Sequence, residues 1–411
     1  MKKYYFSIGL IIIGLLYFVL RFYQLSQNFV FRPDQGLHLL ESYEMVQSHK
    51  IRLLGPIVSS KNFDNRNFFI GANYYYALAF LGQVTKWDPL VLTVLYNVIE
   101  FFFVLFFVFW LKKKFSSPIS LVIFTFLAVF PYLLSHSHFY WNPHFLLPLA
   151  IMEIYLLDLY FKNKKNVTIF LAAIVWGCAF AFHYAAILWF FAYLYIIYRK
   201  KIFSHLYIYP TIAIGFIVGD LPFVISELRH NFYNIRTMIF VYTHSSDSSR
   251  LYGHYFIYPF IIFLLFTVAY FLKKYWNSKI FVTALLFTLI SMAILIPPVD
   301  ELSSIPGWRY PNQLKALSLI LSPSCPKNFN LATTISGDTR TYDLRALLNI
   351  KACPPNSVDN YPQSSTIFLI APPTRPPETE TVWEISSFKP FKVSEKIIIN
   401  DNVIFYRLDK S

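Results

Sequence analysis

Long apolar stretches separated by short polar or basic strings fill roughly the first 300 residues, and a shorter, mixed alternation follows. Residues 4–20 are apolar behind Lys2-Lys3, and Arg21-Phe22-Tyr23-Gln24 offers no small-residue cleavage site. This stretch therefore reads as an uncleaved first span with its N-terminus inside. Further runs lie at 90–111, 119–134, 145–160, 206–225, 255–272 and 280–296. The run at 168–198 is too long for one span, and a break is expected near His183-Tyr184. Residues 68–84 are ambiguous: apolar, but interrupted by Gly71, Asn73, Tyr74-Tyr75-Tyr76 and Gln83. About 20 apolar residues cross a bilayer as a helix, so the pattern predicts an all-α polytopic membrane bundle of about 9–10 segments. It occupies residues 1–300 and has one long polar loop at 22–67.

Within that loop, Leu37, Leu40, Tyr43 and Val46 recur at threefold spacing between acids and amides, which predicts an amphipathic surface helix over 35–50. Pro33 and Asp34 are its start signals, and Asp34 is expected as the N-cap. Residues 301–411 read as a small α+β domain. Strands are expected at 329–335 and 366–370 and a helix at 342–350. A hairpin is expected with 396–399 and 403–407 flanking Asn400-Asp401-Asn402.

Composition fits a membrane chain: of 411 residues 56% are hydrophobic and only 14% charged, well under the roughly 25% usual in soluble domains. The net charge of +14 would suggest nucleic acid in a soluble protein, but the cations sit in clusters at the ends of apolar runs, so topology explains them and no nucleic-acid partner is expected. If residues 68–84 dip into the membrane without crossing, the clusters at 112–114, 162–165, 199–201 and 273–274 all fall on the cytoplasmic side. The strings at 136–142, at His183 and at 227–230 then face outside with the C-terminal domain; a full crossing inverts every later cluster. Cys178 sits in an apolar run, whereas Cys325 and Cys353 fall in the polar tail and can pair if it is extracytoplasmic.

Asp34 is the candidate catalytic base. Arg32, Gln35, Lys61 and Tyr75 in or beside the first loop are candidates for binding substrate. So are His138, Trp141 and Asn142 at a span exit, His183 at the expected break, and Glu227 and Arg229 at another exit. Asn142 offers both a donor and an acceptor, arginine holds phosphate bidentately, and an ionisable group within a span is a functional candidate by default. No glycine-rich nucleotide loop, zinc spacing or serine-hydrolase elbow is present, so neither a nucleotide cofactor nor a metal is assigned.

Asp34-Gln35-Gly36, Leu54-Gly55-Pro56 with Ser59, Gly71 before Tyr74-Tyr75-Tyr76, and Asp88-Pro89 opening a span resemble, in order and spacing, integral membrane glycosyltransferases of the GT-C fold. The group in question is the bacterial relatives of dolichyl-phosphate-mannose protein mannosyltransferases and of lipid A aminoarabinose transferases. Trp141-Asn142-Pro143 and the stretch from Pro222 through Glu227-Leu228-Arg229-His230-Asn231-Phe232 look similar to that group as well, so the resemblance spans residues 1–300. It implies inverting transfer of a sugar from a polyprenyl-phosphate carrier to a protein, lipid or glycan acceptor at the extracytoplasmic face, with Asp34 as the acid of the first loop. Many members carry Asp-Glu where this chain has Asp34-Gln35, and some carry an acid at the place of His38. A lipid-linked glycan transporter or export partner built on the same frame is the alternative expectation.

Overall fold

The computed structural model describes residues 2–63, 66–199, 208–244, 256–295, 307–335 and 337–411. Helix α1 (Lys2–Phe22) is the first span, and a short α2 (Leu25–Asn28) leads into α3 (Pro33–Gln47). A two-stranded antiparallel hairpin follows, β1 (Leu54–Phe63) and β2 (Arg66–Gly71), then α4 (Asn73–Val84). At about 1.5 Å per residue this 12-residue helix reaches only about 18 Å, too short to cross a hydrocarbon core. Residues 68–84 are thus the end of a strand followed by a short helix.

Helix α5 (Pro89–Lys114) is the longest span, its N-terminus capped by Asp88, whose Oδ1 accepts from the backbone N–H groups of Leu90 and Val91 at 2.9 and 3.0 Å. The next apolar run is two helices, α6 (Ser117–Val129) and α7 (Pro131–His136). Pro131 has no N–H to give Leu127 O, and Arg21 supplies the donor: its guanidinium bonds Leu127 O at 3.1 Å and Ala128 O at 3.0 Å. A 3₁₀ turn, Asn142–Phe145, opens α8 (Leu146–Asn163). Helix α9 (Asn166–Phe182) ends at His183, whose extended backbone (φ −163°) turns the chain into a 3₁₀ stretch, Tyr184–Trp189, before α10 (Phe190–Arg199). The expected break lies there.

Helices α11 (Ile208–Gly219) and α12 (Leu221–Arg229) bend by 89° at Asp220, so the run at 206–225 is a broken segment. Then come α13 (Tyr233–His244), α14 (Ile257–Lys274) and α15 (Lys279–Leu295). Among the described residues four helices are long and apolar enough to cross a membrane, or five if the bent pair counts as one span, and shorter apolar helices such as α6, α9 and α15 make up the remaining segments. Spans α5 and α8 start at one end of the bundle, where Tyr96 Oη donates to His144 O at 2.7 Å and Asn97 Nδ2 to Ser137 O at 2.7 Å. They finish where the lysine clusters meet: Lys114 and Lys162 both pair with Asp158, and Lys273 Nζ donates to Lys114 O at 3.1 Å.

The C-terminal domain begins with α16 (Tyr310–Ile320) and folds around a four-stranded sheet in the order β3 (Phe329–Thr333), β4 (Thr366–Ala371), β6 (Val403–Lys410), β5 (Phe391–Asn400). Strands β3 and β4 run parallel and the rest antiparallel, with α17 (Tyr342–Ile350) as the β3–β4 crossover. The parallel pair β3 and β4 is buried along its whole length, as the near-continuous apolar sequence of β4 requires. A disulfide joins Cys325 to Cys353 (Cα–Cα 5.6 Å). The domain is docked on the first loop: Gln313 Nε2 donates to Phe31 O at 2.6 Å, Arg309 Nη1 to Asn28 Oδ1 at 3.1 Å, and α17 packs along α3.

Candidate functional site

Helix α3 starts two residues earlier than expected at its cap. Arg32 is the N-cap, with extended backbone, Pro33 is the first helical residue, and Asp34 lies inside the first turn. The capping expected of Asp34 is done differently: Gln35 Oε1 accepts the Arg32 backbone N–H at 2.9 Å. Its carboxylate is therefore not committed to the helix end. Four residues on, and so on the same face, comes His38.

Asp34 and His38 line a polar cavity of about 140 Å³ at the end of the bundle away from the lysine clusters. Trp141 and Asn142 enter it from the 3₁₀ turn before α8, His183 and Tyr184 from the break after α9, and Pro56, Ile57 and Ile70 from the β-hairpin. Local rules place each group. Asn142 is fixed by Nδ2 donating to Phe182 O at 2.8 Å, a carbonyl at the α9 C-terminus, which leaves its Oδ1 and second amide proton. His183 Nδ1 accepts the Ala185 N–H at 3.1 Å, so the neutral ring carries its proton on Nε2, and the ring stacks on Tyr184 at 4.4 Å.

Two groups have shifted acidity. Asp34 remains open to solvent in the cavity mouth, yet protein crowds it on its other sides. That desolvation raises its carboxyl pKa, the negative charge of Asp338 from the C-terminal domain raises it further, and Arg32 pulls it back. His38 is buried, and burial pushes its pKa down to about 3, so the ring is uncharged at neutral pH. Its Nδ1 has no hydrogen-bond partner among the described residues.

The other sequence candidates sit elsewhere. Gln35 is buried beneath the cavity, with its carbonyl accepting Tyr140 Oη at 3.2 Å. Tyr75 is buried in α4, 6.0 Å from the His38 ring and 5.8 Å below the Arg52 guanidinium. His138 is half-buried outside the cavity lining, its carbonyl accepting Val30 N–H at 3.0 Å. Lys61 falls on β1, where its side chain lies outside the described residues. Arg229 is exposed at the end of α12 and does not line the cavity. Glu227 is buried and occupied: it accepts from Asn234 N and Nδ2 (3.2 and 2.8 Å) and Ile235 N (3.0 Å), capping α13, while Asn234 Oδ1 accepts Phe69 N–H at 3.0 Å and ties in the hairpin.

His38 and Tyr184 are the polar cavity residues not among the sequence candidates. The signal for His38 was its i,i+4 spacing from Asp34. Among the described residues no group of three or more His, Cys, Asp or Glu side chains is arranged to hold a metal. Beside the polar cavity, sharing Ile70 and Tyr184 with it, lies an apolar one of about 300 Å³ between the hairpin, α9, α12 and α13. Compared with protein-family models, curated proteins and solved structures, the chain matches none.

Proposed function

We propose that this chain is an inverting glycosyltransferase that takes a sugar from a polyprenyl-phosphate carrier, with Asp34 as base. The observation that carries the reading is the convergence of Asp34, Trp141, Asn142 and His183, from three distant parts of the chain, on one polar cavity that abuts an apolar one. The resemblance to GT-C enzymes supports it independently. So does the arrangement of charge: the lysine-rich ends of α5, α8 and α14 suit the cytoplasmic face, and with the disulfide this supports an extracytoplasmic cavity and C-terminal domain.

In this mechanism the acceptor hydroxyl attacks the anomeric carbon while its proton passes to an Asp34 carboxylate oxygen. The bond from that carbon to the carrier phosphate oxygen breaks on the opposite face, and the carrier leaves as polyprenyl phosphate. That leaving group is already a stabilised anion and needs donors more than an acid. The second Asn142 amide proton is a donor in the cavity, and the positive charge of Arg32 acts near Asp34. The raised pKa of Asp34 makes its carboxylate a better base than an ordinary aspartate.

The test is turnover of a radiolabelled polyprenyl-phosphate sugar by detergent-solubilised protein, with no vesicle present. Release of carrier phosphate by the wild type, and a loss of at least about 100-fold in Asp34→Asn at unchanged expression, is the expected result. Full activity in that variant overturns the role of Asp34. Absence of turnover by a folded wild type given several sugars, together with movement of the carrier across vesicles, favours the transporter.

A further inference from the structure

Helix α12 is built inside out. Its polar residues Ser226 and Glu227 are 1% and 2% exposed, whereas Leu221 and Leu228 are 45% and 63% exposed. The two leucines stand seven residues apart and so share one face of the helix. Phe232, in the turn that follows, is 46% exposed. In water a helix runs the other way, with leucines inside and acids outside. The reversed pattern is stable where the outer face meets hydrocarbon.

The packing of α11 places that face at the membrane. Gly215 of α11 lies against Ala173 and Gly219 against Cys178, so α11 and α9 run side by side in the same direction. Helix α9 starts beside the lysine cluster at 162–165, so α11 finishes at the cavity end, with Ile214, Ile217 and Val218 exposed along it. The 89° bend at Asp220 then turns α12 almost square to α11, along the membrane surface rather than through it.

The elbow from α12 into α13 is cationic. Arg229, His230 and Arg236 are exposed, and neither arginine has an acidic partner among the described residues. The one acid in residues 221–239, Glu227, is buried and taken up by the start of α13. The turn itself is fixed. Phe232 N–H donates to Glu227 O at 2.7 Å, and Asn231 and Phe232 both adopt left-handed φ, 52° and 59°. The elbow therefore presents two guanidiniums beside an apolar face, in a shape set by the chain alone.

We infer that the α12–α13 elbow docks anionic phospholipid of the leaflet at the cavity end. The acyl chains cover Leu221, Leu228 and Phe232, and the headgroup phosphate pairs with Arg229 and Arg236. Charge selects the class. A zwitterionic headgroup brings its own ammonium toward the arginines, whereas an anionic one does not. A second copy of the chain meeting this face by two-fold symmetry brings arginines toward arginines. Phe223, Val224, Ile235 and Met238 of the same two helices wall the apolar cavity, so the lipid that steadies the elbow also steadies that wall.

The experiment uses no sugar donor, so its outcome is independent of the transferase reading. Purified full-length protein is placed in phosphatidylcholine nanodiscs with a trace of phosphatidylglycerol or phosphatidylcholine carrying a diazirine high in one acyl chain. After photolysis the labelled peptides are mapped. Phosphatidylglycerol is expected to label peptides within 221–239 about tenfold more than phosphatidylcholine. Arg229→Gln with Arg236→Gln should remove that preference, and Arg229→Lys with Arg236→Lys should keep most of it. Equal labelling by the two lipids in the wild type overturns the inference, even where the glutamine variant fails to fold. So does an unchanged preference in a glutamine variant that melts like the wild type. Labelling by neither lipid, together with cross-linked dimers, assigns the face to a second copy and overturns it as well.

Discussion

Gly36 lies against the backbone of Asp343: a Cβ at residue 36 would stand 2.6 Å from both Asp343 N and Asp343 Cα. The first turn of α3, which carries Asp34, is thereby wedged against the first turn of α17 in the C-terminal domain. No backbone atom in such a contact can yield cheaply, so Gly36→Val should separate the two helices at a penalty of about 1–3 kcal/mol. The expected readout is faster protease cleavage between the membrane bundle and the C-terminal domain, with reduced transfer. Unchanged cleavage would show that the wedge does not hold the domain.

On the glycosyltransferase reading, the acid side of the pH profile should report Asp34, which must be ionised to take a proton. Crowding and the Asp338 charge raise its pKa, and Arg32 lowers it. The acid limb of kcat/KM is therefore expected above the ordinary carboxylate range. Asp338→Asn should move the limb to lower pH and Arg32→Gln to higher pH. A limb that stays put in both variants belongs to some other group.

The C-terminal domain should be more stable in mild acid. Burial pushes the Asp343 carboxyl up to about 6, in spite of bonds from Trp308 Nε1, the Leu344 N–H and Gln313 Nε2. A carboxyl whose folded pKa lies above its unfolded value binds more protons when folded, so stability is greatest below the unfolded pKa and falls as pH rises through about 6. The loss between pH 4 and pH 7 from this group is on the order of 2–3 kcal/mol. Thermal melts followed by Trp fluorescence should show it, and Asp343→Asn should flatten the dependence.

Glu227 distinguishes a structural from a substrate-binding carboxylate. Its two oxygens take three donors from the start of α13, so Glu227→Gln should lower the melting point by loosening α13 and, through Asn234, the hairpin. The penalty is about 1–3 kcal/mol, with KM changed no more than about twofold. A tenfold rise in KM at an unchanged melting point would place Glu227 on the substrate instead.

Local signals in the sequence reached far into the fold. The helix at Tyr342–Ile350, the β5–β6 turn around Asp401 and the break at His183 each follow from residues within a few positions of one another. The β1–β2 hairpin was missed because Phe68, Phe69 and Ile70 continue the apolar pattern of α4, and short apolar runs do not distinguish strand from helix. The bend at Asp220 was missed for a related reason: one acid in a long apolar run looks like noise until the helix crossing it is known. Partnership across the chain was least legible. The juxtaposition of α3 with α17 depends on Gly36, whose role is visible only when Asp343 is beside it.

The wedge between Gly36 and Asp343 also sets an order of assembly. Asp34 leaves the ribosome with the first span, whereas the surface that backs its helix emerges roughly 300 residues later. A chain cut short before α17 therefore carries Asp34 on an unsupported turn, so on the glycosyltransferase reading activity reports the presence of the C-terminal domain. The same seam gives the molecule one place where releasing the last-made quarter of the chain would disarm the first-made loop without touching a membrane helix.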